Sequence, residues 1–407
     1  LAAVLVMRFF FAAVLLAILS SISLVAAKKE YNIAEFSEMC SRQKSFVLKT
    51  WLVPHAWVNP SMIIDPANGD KIVMVWRVPD SKRFDKIGYF WINFTTWESI
   101  RKKDWIERIS FGKWRTYLIG EDARVFNHNG NLWVVYNTHL TKFKQLSYAP
   151  VHFNTTEDSF YALDPPLHVT YEKEINLKHQ KNWTPFDFCP LCVVNRGYVD
   201  PLRSPHPANL LFVYSIQPHR IVETYPTDVL GEMDANTVFL TEMLPKYNWN
   251  WGEMRGGTPA LLIGDHYLSF FHSSGRLTHK KIITYVMGAY LFDKNPPFAI
   301  THVSSEPIMH DTFINESFGW AYRAVDYITF PMGFIDADPY LYLSYGKNDR
   351  DGWILQLNKT GLLNSLRPVE TVELGSSSWD KKTGKILRGS FRQMRNSTAV
   401  FHAQHPR

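Results

Sequence analysis

Four short stretches of this chain combine charged, amide and ring side chains inside strand-like surroundings, and each invites a chemical reading. In Gly120-Glu121-Asp122-Ala123-Arg124 two adjacent carboxylates precede an arginine. In extended backbone Asp122 and Arg124 share a face. Arg124 then either orients the carboxylate and grips a substrate hydroxyl, or forms a surface ion pair of little energetic weight. In Lys181-Asn182-Trp183-Thr184-Pro185-Phe186 a cation and an amide stand beside large rings, a set suited to polyhydroxylated ligands through hydrogen bonds and ring stacking. The same letters also fit a surface turn carrying a glycan on Asn182. Arg255-Gly256-Gly257-Thr258-Pro259 runs on toward Phe271-His272-Ser273-Ser274. Its glycines permit close backbone approach and its arginine suits a bidentate anion. It lacks the Lys-Ser/Thr ending of a nucleotide-binding P-loop. Ser344-Tyr345-Gly346-Lys347-Asn348-Asp349 reads as a turn or as a substrate clamp.

Other chemistries find no pattern. There is no Gly-X-Ser-X-Gly elbow, His-Glu-X-X-His pair, Rossmann glycine fingerprint or EF-hand loop. The 15 histidines lack zinc-ligand spacing, so neither a metal nor another cofactor is expected. Cys189-Pro190-Leu191-Cys192 resembles half a zinc site or a redox pair, but no second ligand pair or βαβ pattern accompanies it. With Cys40 as the third cysteine, one disulfide and one free thiol is the better reading.

The elements that must position these residues are strands. Runs rich in β-branched and aromatic residues cover 71–78, 131–137, 210–215, 267–272, 284–292, 340–345 and 352–357. Asn68-Gly69, Asn129-Gly130 and Gly264-Asp265 punctuate them as hairpin turns. Residues 98–109 are the one candidate helix. Many short antiparallel strands exceed one sandwich, so the fold class is all-β. A β-propeller manages strand edges at this length by radial repetition, with two tandem β domains as the alternative.

Composition narrows the class further. The 407 residues are 46% hydrophobic, with 14 Trp, 19 Tyr and 27 Phe, which excludes disorder and low complexity. Net charge is +6, and no dense Lys/Arg run tracks a phosphate backbone, so nucleic-acid binding is not expected. Met7 reads as the true start. Arg8, an uncharged run from Phe9 to Leu19 and the small residues ending at Ala27 have the layout of a secretory signal over residues 1–27. An uncleaved anchor of the same residues is the rival, and only that would tie the chain to a membrane. Six Asn-X-Ser/Thr sequons, at Asn93, Asn154, Asn182, Asn315, Asn358 and Asn396, fit a secreted or luminal protein.

Taken in order, the clusters resemble glycoside hydrolase family 130, the β-mannoside phosphorylases and related β-mannosidases, with mannosyltransferases of the same fold. The resemblance starts at Asn59-Pro60-Ser61 and Val75-Trp76-Arg77, and passes through residues 120–124, 181–186, Pro218-His219-Arg220, 255–259 and Phe271-His272. It ends with Tyr285, Leu291-Phe292-Asp293, Phe330-Pro331-Met332-Gly333, Tyr345-Gly346 and Asp349. The family commonly has Pro where Ala123 stands, and a different segment around Trp183-Thr184-Pro185.

The resemblance implies a five-bladed β-propeller over residues 55–365, after an extension at 28–54 and before a C-terminal segment at 366–407 that closes or packs on it. It implies Asp122 as general acid. Asn59, Ser61, Arg77, Glu121, Arg124, Lys181, Asn182 and Asp349 would hold the sugar, and Arg220, Arg255, His272 and Tyr285 an anion. The expected activity is inverting phosphorolysis of β-mannosides or mannosyl transfer. Partners would be a mannose-containing glycan together with inorganic phosphate or a sugar phosphate or nucleotide. A β-mannoside hydrolase of the same fold and a non-catalytic sugar-binding propeller remain as alternatives. A retaining hydrolase of arabinan or fructan would need a carboxylate pair for which no motif is visible.

Overall fold

A computed structural model describes residues 30–53, 58–79, 85–100, 104–109, 115–138, 145–154, 159–163, 166–171, 182–189, 193–195, 198–200, 208–277, 283–314, 325–379 and 386–387. The proposed signal at residues 1–27 and the sequon at Asn396 lie outside them, as do Asn315, Lys181 and Cys192.

Strand pairing divides the sheets into five successive antiparallel runs, in the architecture of a β-propeller. The first holds Val58–Asp65, Asn68–Val78, Lys86–Asn93 and Asp104–Trp105. The second holds Glu121–His128, Asn131–Thr138, Gln145–Asn154 and Ser159–Leu163. Thr184–Phe188, Asn209–Ser215, His219–Pro226 and Glu232–Met243 make the third. In the fourth, Arg255–Gly256 and Leu261–Ile263 both pair with His266–Leu277, followed by Ile283–Asp293 and Ile300–Ser304. The fifth has Val325–Ala337, Tyr340–Lys347 and Asp351–Asn358, and its outer strand is Val47–Leu52 from the N-terminal side. Residues 47–52, assigned above to an extension, therefore complete the last sheet. Beyond 365, Thr371–Ser376 pairs with Glu232–Met243.

The sheets pack face to face, which explains strands that are apolar on both sides. Along Asn68–Val78, Val73 and Val75 join a core shared with Val125, Val134 and Ala149 of the second run. Ile72, Met74 and Trp76 between them turn the other way, onto Ile335 and Ile354 of the fifth. Alternation is present, but both faces are cores, so the strand reads as one apolar stretch.

Three expectations change. The described residues of 98–109 form no helix: Asp104–Trp105 pairs with Lys86–Asn93, and the Ile106 N–H donates to Ile87 O, so tertiary pairing overrides a weak local preference. The turn near Asn68-Gly69 sits two residues earlier: Asp65 pairs with Asn68, and Pro66-Ala67 is the loop. Proline presets the φ that a turn needs. Asn129-Gly130, with φ of 52° and 79°, and Gly264-Asp265 do form the expected two-residue hairpin loops. A helix that the strand reading did not anticipate spans Ile33–Gln43. Asn32 caps it by accepting from the Ala34 N–H, and Phe36, Met39, Cys40 and Gln43 form its buried stripe.

Cys40 is a buried free thiol and Cys189 is disulfide-bonded. Among the described residues no helix is long and apolar enough to cross a membrane.

Candidate active site

Residues within or flanking the five runs line a cavity of about 200 Å³. Asn59 and Arg77 come from the first run, Glu121 and Asp122 from the second, and Asn182 from just before the third. Arg255, His272 and Tyr285 belong to the fourth run, Phe330 and Asp349 to the fifth. Nine residues singled out in the sequence are thus brought together.

The backbone at this rim is unusual. Asn59, Asp122, Asn182 and Asp349 all lie in the left-handed region, at φ of 54°, 53°, 71° and 51°. Only Asn and Asp among non-glycine residues visit it at all readily. Each such residue costs about 1–3 kcal/mol and persists because the surrounding sheet enforces it. The kink departs from strand geometry where a side chain must turn toward the axis. The pairing registers slip at the same places, between Val58 and Ser61 and between Val135 and Asn137.

The acid lies in a firm setting. Asp122 is 6% exposed, and Asn59 Nδ2 donates to its Oδ1 over 2.8 Å. Beside it, Arg77 Nε donates to Asp85 Oδ2 at 2.6 Å, and Arg77 Nη1 lies 3.7 Å from Glu121 Oε2. Burial works against the Arg77 charge, but the carboxylates of Asp122, Asp85 and Glu121 outweigh it and hold the guanidinium above the ordinary arginine range.

The opposite wall is aromatic. The His272 ring lies 4.3 Å from that of Phe330 and meets Tyr285 edge-on at 5.7 Å. Arg255, half-exposed, is bound by Glu253 at 2.6 Å and pairs across the strand with His272. Gly256 beside it admits no side chain: a Cβ there would come within 2.3 Å of the Asn182 carbonyl oxygen.

Three predicted site residues do not line this cavity. Ser61 lies beneath it, fully buried, and accepts from the Val125 N–H at 3.1 Å, joining the first two runs. Arg124 has no exposed surface and links the second run to the fourth. Its Nη1 donates to the Asp122 carbonyl oxygen at 3.0 Å and its Nε to the Gly257 carbonyl. Burial pulls the Arg124 guanidinium down to about 10, against the favourable pull of Asp122, and it stays cationic at neutral pH. Its charge fixes main chain and leaves no group free to grip a sugar. Arg220 turns behind the wall: Nη1 donates to Tyr171 Oη at 2.9 Å, and the guanidinium stacks over Tyr214 at 5.6 Å. Tyr214 in turn packs on Trp183, one ring behind Asn182. Along His219–Pro226 side chains alternate, and Arg220 takes the face turned to this aromatic layer.

Sequence reasoning missed two participants. Phe330 lies in a quoted motif but was not assigned to the site. Asp85 had a readable signal: an acid at the start of one strand opposite an arginine at the end of the strand before it. Among the described residues no group of three or more His, Cys, Asp or Glu is placed to hold a metal ion.

No family profile matches this chain, and neither does any curated protein. Solved structures do. One, from work showing that the GH130 family of mannoside phosphorylases contains glycoside hydrolases that target β-1,2-mannosidic linkages in Candida mannan, is 16% identical with a TM-score of 0.50, covering 76% of this chain and 86% of the other. A β-1,2-mannobiose phosphorylase from Listeria innocua is 14% identical with a TM-score of 0.46, covering 78% of this chain and 92% of its own. A GDP-mannose-dependent mannosyltransferase from Leishmania mexicana is 10% identical with a TM-score of 0.48, over 81% and 95%. At the identity of the first, what is shared is the fold: this chain is a β-propeller similar to that GH130 structure.

Proposed function

We propose that the chain is a carbohydrate-active enzyme that breaks or makes β-mannosidic bonds with inversion, using phosphate or a sugar phosphate or nucleotide as the anionic partner. One observation carries this reading: Asp122 lies buried in a polar cavity, held by Asn59, and Arg255, His272 and Tyr285 line the same cavity. The five antiparallel runs are its five blades. The likeness in fold to the GH130 structure named above is consistent with the substrate class.

In this reading Asp122 supplies the proton that the leaving glycosidic oxygen needs, relayed through a hydroxyl of the mannose ring. The anion attacks the anomeric carbon from the opposite face, so one carboxylic acid suffices. Arg255 offers the anion a charged fork, and His272 and Tyr285 offer ring donors. Arg77 and Asp349 bracket the sugar.

Hydrolysis is the second reading, favoured by the position of Arg220, which leaves Arg255 as the fourth-run cation at the cavity. Glu121 and Asp349 then provide carboxylates to activate water. The test is incubation with mannose 1-phosphate or GDP-mannose and acceptor sugars, and in reverse with β-mannosides in phosphate or in water alone. Disaccharide synthesis and phosphate-dependent cleavage support transfer to an anion. Cleavage indifferent to phosphate supports hydrolysis, and sugar binding without any turnover supports a lectin.

Entry into the secretory pathway through residues 1–27 belongs to the same proposal. N-terminal sequencing of protein from a eukaryotic secretory host should begin after Ala27. Asn182, 7% exposed at the cavity, should carry no glycan by intact-glycopeptide mass spectrometry. An occupied Asn182 would remove it from the site.

A further inference from the structure

We propose that Asn59 is a positioning residue for Asp122, and that Gly346 holds Asn59 in the orientation this requires; the inference rests on the reading of Asp122 as general acid. The Asn59 amide nitrogen donates to Asp122 Oδ1 at 2.8 Å, an oxygen that accepts even when the carboxyl carries its proton on the other oxygen. That fixes where the amide oxygen goes. It turns to the fifth run, against Gly346, where a Cβ would fall 2.0 Å from Asn59 Oδ1, 3.0 Å from its nitrogen and 3.1 Å from its Cα. Among the described residues this buried oxygen has no hydrogen-bond partner, so steric contact, not a second bond, sets its position.

The backbone of Asn59 is equally constrained. It lies at φ 54° although Pro60 follows, and a residue before proline ordinarily prefers extended backbone. At 3% exposure Asn59 has little room to turn. Three adjacent runs thus converge in one line: Gly346 of the fifth presses on Asn59 of the first, which holds the carboxyl of Asp122 of the second. A general acid works only when aimed at the atom it protonates, so a displaced carboxyl loses rate even while substrate still binds.

The test is a double-mutant cycle on kcat and KM with an unactivated β-mannobiose, whose leaving sugar needs a proton, and inorganic phosphate as probe. Asn59→Ala should lower kcat by about 10-fold to 100-fold, the worth of a hydrogen bond to a charged group, with KM changed by less than about threefold. Asn59→Leu, which keeps roughly the volume and removes the donor without adding a charge, should fall equally. Gly346→Ala should also lower kcat, but Asn59→Ala/Gly346→Ala should lose far less than the sum of the two, because the 2.0 Å clash with the amide oxygen is gone and only the 3.0 Å and 3.1 Å contacts with the Asn59 main chain remain. The Tm lost in Gly346→Ala should be partly recovered in the Asn59→Ala background, a readout independent of turnover. Additive losses in kcat, no Tm recovery, or a raised KM at unchanged kcat would each overturn the relay. Unchanged turnover in Asp122→Asn would instead overturn the reading beneath it.

Discussion

The two walls of the cavity are built by different means. On the side of the first and second runs every charged group is already tied: Asp122 to Asn59, Arg77 to Asp85 and Glu121, Arg124 to main-chain carbonyls. On the side of the third and fourth runs rings dominate. There Arg255 is held by an exposed Glu253, and Arg220 has withdrawn behind Trp183 and Tyr214. Preorganisation is worth most where charge moves in the transition state. The difference teaches that the wall proposed to donate the proton is assembled in advance, whereas at the wall proposed to bind the anion Arg255 is held by an exposed carboxylate.

The largest effect should come from the assembled wall. Asp122→Asn keeps the volume and the acceptor for Asn59 but loses the proton, so turnover should fall about 10³-fold with Tm unchanged within about 2 °C. Next is its buried support. Arg124→Met strands the carbonyls of Asp122 and Gly257 and should destabilise the protein by about 3 kcal/mol in urea unfolding. A loss well under 1 kcal/mol would mean the axis does not depend on this guanidinium.

The ring-rich side offers a pH test. His219 is buried, its Nδ1 set 2.9 Å from the Phe298 carbonyl, and burial pulls its pKa down from 6.5 to about 3. The unfolded chain therefore takes up the proton first. Stability is intact above about pH 6.5 and should fall by roughly 1.4 kcal/mol per pH unit below it until about pH 3. His219→Gln should flatten that slope. The smallest effects concern the anion: Arg255→Met should raise KM for phosphate about tenfold, and Arg220→Gln should change it by less than about twofold. Equal effects at both positions would erase the contrast between the walls.

Much of this was legible because strand chemistry is local. Asn129-Gly130 supplies the positive φ values that its hairpin needs, and the ring-rich stretches mark the sheets. The helix at 33–43 was readable too, from the cap at Asn32 and the spacing of Phe36, Met39, Cys40 and Gln43. What sequence did not reveal was direction. The expected shared face of Asp122 and Arg124 presumes regular strand, whereas Asp122 is left-handed at a register slip, and only the folded chain shows that Arg124 reaches main chain. Arg220 is one residue from His219, and only its strand's pairing decides which of the two meets the aromatic layer. The left-handed kinks at Asn59, Asp122, Asn182 and Asp349 fall on residue types that tolerate them, but residue type alone does not say which of the many Asn and Asp will kink.

The most direct measurement is the anomeric configuration of the first product, followed by proton NMR as the enzyme cleaves a β-mannoside. One general acid with an external nucleophile on the opposite face predicts the α anomer first, as mannose 1-phosphate in phosphate buffer. A β-configured first product would mean double displacement through a second carboxylate and would contradict the account.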